Sequence, residues 1–103
     1  MWNINPKLLC DKHLLGEHFE MHLFAGNIRK GRSIKGYIIN GLVEVHNINN
    51  RHKVLADELL RRGFKHKIPL KIIKSRGGSV DIKRSINDLV KRCSECRKRI
   101  NSK

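Results

Sequence analysis

The stretch from Cys10 to Phe24, CDKHLLGEHFEMHLF, constrains this chain more than any other. It is long enough for about four helical turns, and its chemistry runs against everything around it. Residues 1–24 hold two Lys and three acids (Asp11, Glu17, Glu20), a net of −1, whereas residues 25–103 hold twenty-one Lys+Arg and six acids, a net of +15. Three of the six histidines, His13, His18 and His22, fall in the same short segment. A cationic chain that gathers carboxylates and imidazoles close to its amino terminus has the composition of a polyanion binder with a reactive site.

The remaining bulk properties narrow the class. A chain of 103 residues suits one domain with a modest core. Only five residues are Phe, Trp or Tyr, so aliphatic side chains must fill that core. No apolar run of about 18 residues and no signal-peptide pattern is present, so a soluble, cytoplasmic protein of a bacterial or phage-infected cell is expected, with no membrane partner. Three cysteines do not make a secretory disulfide framework. A pI near 10.4 makes double-stranded DNA the leading partner, through phosphate neutralisation and counterion release.

Local patterns predict an all-α chain: a compact single domain over residues 1–103, with about three main helices and irregular connections. Asn5-Pro6 reads as a helix start, and Leu8, Leu9, Leu15, Phe19 and Leu23 fall on one side as its core face. That helix should end near Gly26-Asn27. A basic connector, Arg29 to Lys35, leads to an apolar stretch, Tyr37 to Val45, that is compatible with helix or strand. Asn47, Asn49 or Asn50 can cap a second helix running to Arg62, with Leu55, Ala56, Leu59 and Leu60 on one face and Gly63 as the C-terminal cap. Phe64 to Ser79, with Pro69 and Gly77-Gly78 as breakers, reads as irregular. Asp81 caps a last helix whose stripe is Ile82, Ile86, Leu89, Val90, Cys93, Cys96 and Ile100, and the chain should fray beyond it.

Within the first helix, His13, Glu17 and Glu20 share a narrow arc, while Asp11, His18 and His22 share another. Glu20 falls at the border between core and solvent, where a carboxylate can do acid–base work. The amino terminus lies only a few residues before this helix and can fold back against the carboxylates. An α-amine titrates at about 8, far below Lys, so it offers a free nucleophile near neutral pH. Trp2 is too bulky for the usual removal of an initiator Met, which leaves the amine on Met1. Cys10 and His13 have C-x-x-H spacing, and Cys93 and Cys96 have C-x-x-C spacing. Together the four could form a tetrahedral zinc site pinning the last helix to the first, or simply pack as buried thiols.

The excess of basic residues carries the DNA inference. Candidate contacts are His18, His22, Arg29, Lys30, Arg32, Lys35, Arg51 and Arg76, the last within SRGGS, where paired glycines can let backbone amides approach a phosphate. Further clusters are Arg61-Arg62-Lys65-Lys67, Lys71-Lys74 and Arg97-Lys98-Arg99. No helix-turn-helix, zinc finger or aromatic platform is legible, so base-edge reading of a sequence is not indicated.

The start Ile4-Asn5, the segment DKHLLGEHFE and the helix end LADELLRRGF (Leu55 to Phe64) resemble the phage-type pyrimidine-dimer DNA glycosylases, also called endonuclease V, over roughly residues 1–66. That resemblance implies a small α-helical monomer that cleaves the glycosidic bond of a UV photodimer and then nicks the strand as a lyase. It implies no cofactor for catalysis: an amino-terminal amine attacks the sugar C1′ and a helix-borne Glu assists. Carried over by position, the amine is that of Met1, the carboxylate is Glu20, and the family's neighbouring His is His13. The chain departs from the family in starting Met-Trp, in having Phe19 where an arginine precedes the catalytic Glu, and in ending on a C-x-x-C helix instead of an aromatic-rich tail. Two other functions remain open on the residues: a non-catalytic DNA-binding or host-takeover protein on the same scaffold, and a metal-dependent nuclease using Asp11, His18 and His22.

Overall fold

The structure, a computed structural model, describes residues 1–65, 70 and 75–102. Its helices are α1 (Asp11–Arg29), α2 (Lys35–Ile39), α3 (Ile48–Arg61), α4 (Ile82–Arg92) and α5 (Ser94–Asn101), and no strand occurs among the described residues. The fold is therefore all-α. The Cα radius of gyration, 13.6 Å, is close to the ~13 Å of a compact chain this long. Pro69, Lys67, Lys71 and Lys74 lie outside the described residues.

Asn5-Pro6 starts a single 3-10 turn, Pro6–Leu8, in which the Asn5 side chain accepts the Lys7 N–H. The chain then extends through Leu9, and α1 begins only at Asp11. Helix α1 continues through Gly26 to Arg29, past its expected end. Arg62, just after α3, fastens this entry: its guanidinium donates to the carbonyls of Leu9 (2.8 Å) and Pro6 (3.2 Å), and pairs with Asp11 at 2.9 Å.

The buried face of α1 is Leu14, Glu17, Met21, Phe24 and Ala25. Leu15, Phe19 and Leu23, expected inside, are exposed, Phe19 by 66%. Apolar residues occur on both sides of α1, so their spacing does not choose between two faces, and the buried acid at Glu17 makes the true inner face look polar. Helix α3 presents Ile48, Arg51, His52, Leu55, Ala56 and Leu59 to the interior, whereas Leu60 is exposed. Gly63 follows it in the left-handed conformation (φ 92°) of a C-terminal cap. Helices α1 and α3 form the main packing pair, around Leu9, Leu14, Met21, Phe24, Ile48, Leu55 and Leu59.

Tyr37 to Val45 resolves into the short α2, a turn at Gly41 (φ 68°), and an extended run to the 3-10 turn Val45–Asn47. Gly77 and Gly78 serve that run: the Gly77 carbonyl accepts the Val45 N–H at 2.8 Å, and a Cβ on Gly78 would collide with the Val43 carbonyl oxygen. The glycine pair allows a close backbone approach rather than an open phosphate cradle. The expected last helix is two. Asp81 caps α4 as predicted, accepting from Lys83 and Arg84. Cys93 then turns extended (φ −131°, ψ 111°) and starts α5. Of the predicted stripe only Leu89 and Cys96 are fully buried, and Ile82 is exposed.

Candidate active site and metal centre

Residues 1–10 run back along α1, so that each acid or imidazole of one helix arc meets a different part of the returning segment. Met1 lies at the Glu20 level, Asn3 and Ile4 at Glu17, and Cys10 at His13. The Met1 ammonium donates to Glu20 Oε1 at 2.6 Å and to the Leu42 carbonyl at 2.9 Å. The Met1 side chain is wholly buried while Glu20 keeps 40% of its side chain exposed. The Met1–Glu20 pair is thus anchored from inside and open on one side, beside a narrow cleft lined by Met1, Trp2, Leu42, Arg84 and Asp88.

Asn3 makes the reversal. It has φ 61°, the left-handed region that Asn tolerates better than most residues. Its side chain donates to Glu44 (3.3 Å) and accepts from Asn47 (3.1 Å), and Glu44 in turn accepts the Val80 N–H at 2.8 Å. Asn47, placed at the start of α3, therefore spends its side chain on Asn3 instead of capping the helix.

Glu17 and Arg51 form a buried bidentate pair, Nε to Oε2 at 2.6 Å and Nη2 to Oε1 at 2.8 Å, and Arg51 Nη1 donates to the Ile4 carbonyl at 2.6 Å. Three of the guanidinium's donors are committed inside the protein, so Arg51 is removed from the DNA-contact set and becomes a clamp on the amino-terminal segment. Sequence reasoning missed this role. The signal was available in α3, where Arg51 and His52 take the positions i+3 and i+4 after the apolar Ile48.

Cys10, His13, Cys93 and Cys96 come together as the C-x-x-H and C-x-x-C spacings anticipate, with their ligand atoms all within 4.8 Å of one another. The separations are 3.2 Å from Cys10 Sγ to His13 Nδ1, 3.6 Å from Cys96 Sγ to His13 Nδ1, and 3.7 Å between the sulfurs of Cys10 and Cys93. Tetrahedral zinc with bonds of about 2.3 Å to sulfur and 2.0–2.1 Å to nitrogen sets its donors about 3.5 Å (S to N) and 3.8 Å (S to S) apart. The donor set fits that cation. The local chemistry agrees: burial, reinforced by the charge of Lys12, lowers the His13 pKa and favours the neutral imidazole that can ligate. The Cys96 N–H lowers the Cys93 pKa toward the thiolate that ligates, whereas burial works against a thiolate at Cys96 and pushes that thiol up to about 12. The break between α4 and α5 at Cys93 is what brings both sulfurs to this point. Trp2 rests edge-on against the His13 ring, centroids 5.9 Å apart, and so links the cluster to the residue next to Met1.

Arg29, Lys30, Arg32, Lys35 and Arg76 are exposed, as contacts to a polyanion must be. His18 and His22 are half-buried and gather with His52. Asp11 pairs with Arg62 instead, so the Asp11–His18–His22 nuclease set does not assemble. No described helix is long and apolar enough to cross a membrane.

The pyrimidine dimer DNA glycosylase family matches residues 1–72. The chain belongs to that family. The match spans the returning segment and α1 to α3, hence the amine, Glu20, Glu17 and Arg51, while Cys93 and Cys96 lie beyond it. No curated protein and no solved structure matches the chain. In this member of the pyrimidine dimer DNA glycosylases, the metal-type cluster joins one pair of ligands inside the family region to another outside it.

Proposed function

We propose that this protein is a DNA repair glycosylase with abasic-site lyase activity, acting on duplex DNA that carries pyrimidine dimers or otherwise modified bases. The observation that carries this reading is the 2.6 Å contact between the Met1 amine and Glu20 at a half-open site, in a chain of that family. The ammonium passes a proton to the Glu20 carboxylate and frees its lone pair. The amine attacks the sugar C1′ and the bond from C1′ to the base breaks; the base leaves with the electron pair, takes up a proton from the newly bonded nitrogen and, in a dimer, stays joined to its neighbouring pyrimidine. Glu20 then gives its proton to the ring oxygen O4′, which leaves C1′ as a hydroxyl, so the sugar opens to an iminium between Met1 and C1′ and the carboxylate is restored. Loss of a C2′ proton, with Glu20 as acceptor, expels the 3′ phosphate by β-elimination, and water then releases the amine. Glu20 also offsets the positive charge that develops on the sugar. The target C1′ must be exposed by bending the duplex or turning a nucleotide out of the stack. Arg29, Lys30, Arg32, Lys35 and Arg76 supply phosphate contacts, and the net charge of +15 beyond residue 24 supports salt-sensitive attraction to the duplex.

His13 acts in the cysteine cluster rather than on the substrate. Cys10, His13, Cys93 and Cys96 hold one structural zinc, a closed four-ligand site that ties the α4–α5 hairpin to the entry of α1 and braces Trp2. Catalysis needs no metal chemistry in this scheme. The test is a nicking assay on UV-irradiated plasmid with the full chain. Nicking that disappears in Glu20→Gln supports the reading. Salt-sensitive DNA binding without nicking by the unmodified protein favours the non-catalytic DNA-binding alternative.

A further inference from the structure

On the side of α1 turned away from Glu20, three histidines converge. His18 and His22 are four residues apart, which places both imidazoles on one helix face. His52 reaches them from the inner face of α3 and is itself buried, 7% exposed. The ring centroids lie 5.0 Å (His18–His22), 4.9 Å (His18–His52) and 4.7 Å (His22–His52) apart. Two of these pairs meet at steep angles, 71° and 89°, so the rings converge instead of stacking as a column. The Nε2 atoms of His22 and His52 are 3.1 Å apart, and one ring nitrogen from each of the three falls within 4.8 Å of the others.

A metal ion with bonds of about 2.0–2.1 Å to nitrogen holds tetrahedral donors about 3.3 Å apart. The 3.1 Å between the His22 and His52 nitrogens is close to that separation and the His18 nitrogen lies within 4.8 Å of both, so small side-chain adjustments suffice. Three imidazoles without a carboxylate or thiolate suit zinc, copper, nickel, cobalt or iron and not calcium or magnesium. We infer that His18, His22 and His52 form a second metal site, separate from the cysteine cluster, which takes one divalent d-block cation and leaves its fourth position to solvent. Residues 18 and 20 point about 200° apart around the helix, so the ion stands apart from the amine and Glu20. It ties α1 to α3, the main packing pair, where Glu17–Arg51 ties the same helices through an ion pair.

The test uses the full chain, stripped of metal and titrated with Zn²⁺, while long-range ¹H–¹⁵N correlation follows each imidazole. The exposed His46 serves as an internal control. The expected result is that His18, His22 and His52 shift together over one equivalent, separately from His13, which reports the cysteine cluster. Three unmoved rings overturn the inference even if His13 responds; a silent His13 beside three moving rings overturns only the zinc assignment at the cysteines. His22→Gln, at the half-buried ligand, should lower total bound metal by one equivalent with the cysteine-bound metal unchanged. Wild-type stoichiometry in folded His22→Gln also overturns the inference. If the variant does not fold, the wild-type imidazole spectra decide.

Discussion

Glu17 and Glu20 stand three residues apart on one arc of α1 and meet opposite surroundings. Glu17 is 1% exposed, and both its oxygens accept from the Arg51 guanidinium, so it is shielded and electrostatically satisfied. Glu20 keeps 40% of its side chain open, and its partner is an amine that can lose a proton and become a nucleophile. In the proposed mechanism the same chemical group, one helical turn along, is structural where the pairing is closed and reactive where one side is left open. The difference lies in the returning segment: Asn3 reverses the chain at the level of Glu17, which delivers the amine to Glu20.

The sharpest separation is kinetic. Glu20→Gln should reduce base excision by about 10²–10⁴-fold, the range for a positioned acid–base group, while thermal stability and DNA affinity stay near wild type. Single-turnover cleavage of the glycosidic bond in a dimer-containing duplex, read as base freed after photoreversal of the dimer, measures it, and an unaltered rate would detach Glu20 from the chemistry. Glu17→Leu should show the reverse pattern. It leaves the Arg51 charge buried without its partner, which costs about 3–5 kcal/mol in a denaturant titration. The residual activity should then track the folded fraction; a stable Glu17→Leu protein with lost activity would erase the contrast.

Smaller effects probe the supports. Cys93→Ser should lose the zinc equivalent and lower the thermal midpoint by roughly 10 °C, for a cost of about 2 kcal/mol in a chain this size. Metal analysis and calorimetry on one sample check both parts, and an unchanged midpoint would mean that the cluster does not hold the α4–α5 hairpin. Glu58 offers a pH test of a buried acid that stays structural. Its pKa is lowered to about 2, first by the Arg61 hydrogen bonds and further by the Arg62 pair, against partial desolvation. A depressed carboxylate stabilises the fold above its unfolded value of about 4.5 and loses that contribution as the pH falls from there toward 2. Glu58→Gln should flatten this part of the acid limb, read from stability at a series of pH values, without altering the Glu20-dependent rate at neutral pH.

Much of this arrangement is legible in the residues. Helical spacing marks α1 and α3, Gly63 marks the end of α3 and Asp81 the start of α4, and two short cysteine motifs anticipate a quartet that joins positions far apart in the chain. The inner face of α1 is not legible, because Leu15, Phe19 and Leu23 repeat as well as the residues that are buried. Arg51 hides for a related reason: a basic residue in a cationic chain reads as a phosphate contact until its buried partner is seen. The turn at Asn3 depends on Glu44, Asn47 and the Gly77 region closing around it, and no local pattern encodes those long-range hydrogen bonds. His52 is similar, since only the pairing of α1 with α3 brings it to His18 and His22.

The central claim is that the amine of Met1 is the nucleophile. Incubating the protein with duplex DNA containing an abasic site, in the presence of borohydride, reduces a Schiff base to a stable amine and freezes the covalent adduct. The account predicts an adduct that mass spectrometry maps to Met1, and that acetylation of the amino terminus abolishes while salt-dependent DNA binding persists. An adduct on a lysine, or none from protein that binds the duplex well, would contradict it.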